Sequence, residues 1–160
     1  PYGLVFDTVE VAIPWDRTDE LYSNVVKRIM QVPGAMMASG HASHFYPTGV
    51  CFYFTFTAIP PKGQSPLDIY NQCWDAAIQA TLETGGTAAH HHGMGLNRSR
   101  WMHLEHGSLY PLFQQIKRLL DPQNILNPGK LYSEKVSQDS VDLAYYTHQK
   151  SNEPGPQGGN

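Results

Sequence analysis

Apolar and polar positions alternate from Val5 to Ile13. Val9, Val11 and Ile13 fall on one face, and Thr8, Glu10 and Ala12 on the other, which predicts a strand that Pro14 ends. The spacing then changes to that of a helix. Leu21, Val25, Ile29 and Met30 make one apolar stripe between about Asp16 and Met30, with Asp16 or Thr18 as the expected N-cap and Pro33-Gly34 as the stop. Residues 35–45 are small and mildly apolar and read as a second strand, followed by a turn at Tyr46-Pro47-Thr48-Gly49. Alternation returns most strongly at 50–57. Val50, Phe52, Phe54 and Phe56 point one way, towards an expected helix layer. Cys51, Tyr53, Thr55 and Thr57 point the other way, onto a face able to line a cleft.

Ser65-Pro66-Leu67-Asp68 is a strong helix start: Ser caps, Pro takes the first turn, and Asp sits three residues on. Leu67, Tyr70, Trp74, Ala77, Ile78 and Leu82 continue it at helical spacing to Gly85. A fourth strand is expected near 86–89. A third helix is expected from Ser108 to Leu120, with Leu109, Leu112, Phe113, Ile116, Leu119 and Leu120 as its stripe. The order strand, helix, strand, strand, helix predicts an α+β fold. It would have a ferredoxin-like antiparallel sheet with helices on one face, plus a C-terminal helix and coil. Residues 1–132 are read as the domain. Residues 133–160 are read as a polar, unstructured tail, rich in Pro, Gly and Asn at the end.

Composition narrows the functional classes. The chain has 160 residues, 41% hydrophobic and 16% charged, enough for one globular core. A formal charge of −3 gives no electrostatic case for nucleic acid. No apolar run approaches a membrane span. Cys51 and Cys73 are too few for a disulfide framework and read as buried thiols. With an opening at Pro1-Tyr2-Gly3-Leu4-Val5 and no leader in view, the chain is read as a fragment or subunit of a cytoplasmic assembly. Homodimerisation and peripheral membrane contact stay open.

Chemistry concentrates in Gly85-Gly86-Thr87-Ala88-Ala89-His90-His91-His92-Gly93-Met94-Gly95. Three imidazoles that can donate, accept or carry a proton stand between glycines that allow close backbone approach. If the run is a strand, at most two of the three can face one site. Tyr53, on the less apolar face, is a candidate proton donor should a base or cation lower its pKa. Arg98 and Arg100 form a candidate anion clamp or are ordinary exposed charges, and Trp101 is core or a lid. His103 and His106 read as a solvated helix face, and His148 as an idle residue of the tail. His41-x-x-His44 with the triple run would be needed for a metal-dependent hydrolase, but no H-E-x-x-H is present and no metal is assigned. A non-catalytic ferredoxin-like module that dimerises or binds a ligand is the other alternative.

Together these residues resemble a known family. Gly85-Gly86-Thr87-x-x-His90-His91-His92-Gly93-x-Gly95-x-x-Arg98-x-x-Trp101 is similar to the histidine motif of alkyldihydroxyacetonephosphate synthases, flavoproteins of the vanillyl-alcohol oxidase type. Leu120-Asp121-Pro122-x-Asn124-Ile125-Leu126-Asn127-Pro128-Gly129-Lys130 is similar to the C-terminal signature of the wider group, which includes flavin-linked D-lactate dehydrogenases and glycolate oxidases. Pro14-Trp15-Asp16 and Cys51-Phe52-Tyr53-Phe54-x-Phe56 also fit the synthase branch. The resemblance spans residues 8–132. It implies a substrate-side cap domain that covers FAD held by a separate FAD-binding domain, in the same chain or another subunit. Carried over residue by residue, it implies proton transfer by Tyr53 and His92, and His90 and His91 stand beside them as further catalytic candidates. It implies cofactor contact at Gly93, Gly95 and Asn127, and contact with a small-molecule substrate at Arg98 and His44. The substrate would be a lipid precursor whose acyl group is exchanged for a fatty alcohol, or a 2-hydroxy acid that yields a hydride. The chain departs from the family at Thr55, where the family carries an aromatic, and at Gly40-His41-x-Ser43-His44-x-Tyr46, where the animal enzymes differ. FAD-linked oxidase is therefore the broader label.

Overall fold

The computed structural model describes residues 3–128 and Lys130. Strand β1 (Val5–Pro14) leads through a 3-10 turn at Trp15–Arg17 into helix α1 (Thr18–Met30). Neither Asp16 nor Thr18 caps α1. The residue before it is Arg17, no side chain caps the helix, and Thr18 Oγ1 instead donates to Trp15 O at 3.0 Å. Strands β2 (Ala35–Phe45) and β3 (Gly49–Ala58) follow, then helix α2 (Pro66–Glu83). At the start of α2, Ser65 Oγ accepts from Asp68 N at 3.1 Å and Asp68 Oδ2 accepts from Ser65 N at 2.9 Å, the expected reciprocal cap. Two short helices, α3 (Leu96–Ser99) and α4 (Met102–His106), precede α5 (Tyr110–Leu120).

The three strands form an antiparallel sheet in the order β1-β3-β2, with α1 and α2 side by side on one face. Phe54, Phe56, Val9 and Val11 have no solvent exposure and pack with Leu21, Val25 and Ile29 of α1 and Ile69, Cys73, Ala77 and Ile78 of α2. The period-2 pattern of the strands and the 3.6-period stripe of the helices thus meet in one core. Cys51 and Cys73 are buried free thiols, as expected.

The expected fourth strand is reduced to a single bridge, Ala12 with Thr87. The chain comes close enough to pair there because Gly86 has no side chain: a Cβ would stand 2.8 Å from Ala12 O. Beyond that point side chains replace the ladder. Glu105 accepts from Thr87 Oγ1 and, at 2.9 Å, from Ala88 N, while Arg98 Nη1 donates to Ala88 O. With those groups satisfied by side chains, the chain leaves the sheet edge and crosses the face opposite α1 and α2.

After α5, Asp121 organises the turn of the Asp-Pro-x-Asn-Ile-Leu motif. Its carboxylate accepts from Ile125 N at 3.0 Å and Leu126 N at 2.9 Å and pairs with Lys117. Asn124 and Asn127 adopt left-handed backbone, φ 52° and 53°, which asparagine tolerates better than most residues. Helix α5 starts at Tyr110, two residues later than expected, and its stripe stands in solvent: Leu112, Ile116, Leu119 and Leu120 are exposed, as is Leu109 in the 3-10 turn before it. His103 and His106 are half-buried, with their rings against Tyr110 and Phe113, and do not form a solvated face. His148 and the tail at 133–160 lie outside the described residues.

Candidate active site

Strand register assembles the open face of the sheet. β1 and β3 set Glu10 opposite Tyr53, and β2 sets His41 opposite Tyr53 and His44 opposite Cys51. The segment from Thr87 to Arg98 then passes over this face.

Glu10 holds that segment down. Its side chain is fully buried. Oε1 accepts from His91 N at 2.6 Å and Oε2 from His90 N at 3.2 Å. Arg98 Nη1 lies 3.4 Å from Oε2 and donates to Glu10 O at 2.7 Å. Burial alone would raise the Glu10 pKa. The two amides and the guanidinium outweigh it and hold the carboxyl below its ordinary value. Arg98 is itself buried, with Trp74 5.3 Å beneath its guanidinium, so it serves the interior of the site and is not an exposed clamp. Arg100 is buried over Trp101, and Trp101 is core, donating to Asp75 Oδ1 at 2.7 Å.

All three histidines of the run reach the phenol-bearing face. His92 Nε2 lies 3.3 Å from Tyr53 Oη, and His91 Nε2 lies 2.8 Å from Tyr46 Oη. The His90 ring meets Tyr46 edge-on at 5.1 Å. The strand rule that limits one site to two of the three does not apply, because residues 90–92 form a bent loop tethered by their own amides. His44 bridges the two pairs, with its ring 4.3 Å from His91 and 6.3 Å from Tyr53, and His41 stacks on Tyr53 at 5.4 Å. Five imidazoles and two phenols therefore form one continuous layer. Burial, with Cys51 and Glu10 nearby, pushes the Tyr53 phenol up.

A cleft of about 520 Å³ opens beside His92, at the β1 edge between Trp74 of α2 and the Gly93–Arg98 segment. Asn97 Oδ1, on its wall, is buried with no hydrogen-bond partner among the described residues. Gly93 has φ 69°, a left-handed conformation that favours glycine, and a Cβ at Gly93 or Gly95 would meet nothing within 4 Å. Donor atoms of His44, Cys51 and His91 lie within 4.8 Å of one another. Burial and Glu10 push the Cys51 thiol up to about 12, and both ring nitrogens of His91 already face partners, so this trio does not offer a ready thiolate set.

Residues 2–131 match the family described as FAD linked oxidases, C-terminal domain. The chain belongs to this family. It is 36% identical over 132 residues to the FAD-linked oxidoreductase YgcU of Escherichia coli (strain K12), covering 78% of this chain and 27% of YgcU. It is 31% identical over 137 residues to the alkyldihydroxyacetonephosphate synthase of Caenorhabditis elegans, covering 81% of this chain and 23% of that protein. A solved alkyldihydroxyacetonephosphate synthase superposes with TM-score 0.52 at 20% identity, over 81% of this chain and 21% of that one, and shares the fold. The chain spans about a quarter of the length of these curated relatives.

An FAD-linked domain of this family needs a face that can meet a flavin. The exposed ring layer and the unfilled space at Gly93 and Gly95 fit the ring end of that cofactor and a substrate beside it. Asn127 is exposed in the turn after α5. The sequence reading missed Glu10 and Tyr46. A lone acid between Val9 and Val11 was the available signal for Glu10. Nothing in its turn marked Tyr46 as chemical.

Proposed function

We propose that residues 1–132 are the substrate-side domain of an FAD-dependent enzyme, and that the open face moves a proton at carbon next to a hydroxyl or carbonyl. The observation that carries this reading is the Tyr53 Oη–His92 Nε2 contact of 3.3 Å, on an open face beside a cleft. FAD, when bound, supplies the electron acceptor. The chain's own residues supply the rest. His92 accepts or returns a proton, the Tyr53 phenol donates one or holds an oxyanion, and His90 and His91 extend the same layer. Gly93 and Gly95 leave room for the cofactor, and Asn127 meets it from the C-terminal turn. His44 and Arg98 contact substrate, His44 from the open face and Arg98 from the wall of the cleft.

The FAD-binding partner is the remainder of a longer chain or a separate subunit. The substrate is a small molecule, a lipid precursor of the synthase type or a 2-hydroxy acid. Two buried, unpaired thiols suit a cytoplasmic placement. No described helix is long and apolar enough to cross a membrane. A homodimer and peripheral membrane contact through exposed apolar residues belong to the same proposal, and sizing and vesicle co-sedimentation test them.

The deciding experiment uses the full-length flavoprotein. Tyr53→Phe and His92→Ala should each lower turnover by about 10²-fold or more while FAD stays bound at wild-type stoichiometry. Wild-type rates in both variants would overturn the assignment. Anaerobic bleaching of the flavin by a 2-hydroxy acid marks the oxidase chemistry. Exchange of the acyl group of an acyl-dihydroxyacetone phosphate for a fatty alcohol, with release of the fatty acid and no net reduction of the flavin after turnover, marks the synthase chemistry.

A further inference from the structure

We propose that Glu10, His91 and Tyr46 form a second proton-carrying group on the same face, in which Glu10 is the positioning residue and Tyr46 the terminal phenol. The proposal rests on the reading of the open face as the reacting side. It adds a residue, Tyr46, to which neither the family resemblance nor the sequence pattern gave a role.

The geometry runs in one line. Glu10 fixes the His91 backbone through the 2.6 Å bond from His91 N, and its Oε1 also lies 3.3 Å from His91 Nδ1. An ionised carboxylate can only accept, so the ring nitrogen beside it is favoured as the N–H. In that tautomer His91 Nε2 is the lone-pair nitrogen and accepts from the Tyr46 hydroxyl 2.8 Å away. Trp15 Nε1 donates to Tyr46 O at 2.8 Å and holds the phenol's backbone in place. A buried carboxylate, an oriented imidazole and an acidic hydroxyl in sequence is the arrangement that readies a hydroxyl for proton transfer. In the step, the Tyr46 O–H bond breaks and an N–H bond forms at His91 Nε2. A phenolate and an imidazolium result, no electrons change hands, and the new positive ring faces Glu10. Tyr46 is 38% exposed, so a substrate can reach it.

Two phenol–imidazole pairs then flank His44: Tyr53 with His92 and Tyr46 with His91. An acid and a base can thus act at different places on one substrate, without one residue having to serve as both.

The test needs no turnover, so its result is separable from the choice of reaction. The full-length flavoprotein carrying its FAD is labelled with 15N at histidine, and His91 is assigned with a His91→Gln variant. At neutral pH the wild type should show His91 protonated on Nδ1 and bare on Nε2. Tyr46→Phe should shift the His91 Nε2 resonance and leave His92 in place. Glu10→Gln, where it folds, should move population to the other tautomer. Should that variant fail to fold, Tyr46→Phe decides alone, because it removes one hydroxyl from an exposed side chain. A wild-type His91 carrying its proton on Nε2, or an Nε2 resonance unmoved by Tyr46→Phe, overturns the proposal.

Discussion

Glu10 sits in the polar half of an alternating strand, where a solvated carboxylate is the ordinary outcome, yet no solvent reaches it. It is tolerated because every approach to it is a donor: two amides, a guanidinium, and the Cys51 thiol at 3.6 Å. Its effect on stability has a definite sign. The folded-state pKa is lowered from the ordinary 4.5, so this contribution is in place above that value and is lost as pH falls through the lowered folded value. Urea midpoints measured from pH 7 to pH 3 should therefore fall more steeply in the wild type than in Glu10→Gln. Glu10→Ala, which leaves Arg98 buried without its ion-pair partner, should cost about 3–5 kcal/mol at pH 7 in the same assay. The place of Tyr53 on the cleft face was legible from the strand alternation. The condition attached to it, a base or cation that lowers its pKa, is not met: burial first, and then Cys51 and Glu10, raise it against the opposing effect of Arg98.

At the scale of elements, Phe54 anchors the sheet against α1, fully buried with the Tyr22 ring 6.0 Å away. Phe54→Ala should lower the unfolding free energy by about 3–5 kcal/mol in urea titrations. Ser65→Ala, which removes one half of the α2 cap, should cost about 1 kcal/mol. The strands and the two long helices were legible because burial is periodic in them. Phe54 and Phe56 enforce a period of two, and Leu21, Val25 and Ile29 a period near 3.6. The segment from Thr87 to His106 was not legible, because long-range side chains govern its shape. Glu105, Arg98 and Glu10 satisfy its backbone from up to 81 positions away, and no local spacing encodes that. The histidines were easy to find as a motif, yet their common orientation depends on a carboxylate in the first strand.

At the scale of the whole molecule, α5 carries an apolar stripe left uncovered among the described residues, with Leu119 81% exposed. About three quarters of the YgcU and synthase sequences lies outside the matched region, and the FAD-binding portion proposed above would be the cover for this stripe. Ile116→Glu should then change the stability of residues 1–132 by less than about 0.5 kcal/mol, since the site is exposed here. The same substitution should lower FAD retention in the full-length protein, read by flavin absorbance after gel filtration. The bond from Glu10 to the loop has an evolutionary corollary. A chimera that grafts residues 86–98 from this chain onto a relative should display its imidazoles in order only if the host's first strand offers a carboxylate at the matching rung. The order of the imidazoles is thus tied to two stretches of gene some 80 codons apart.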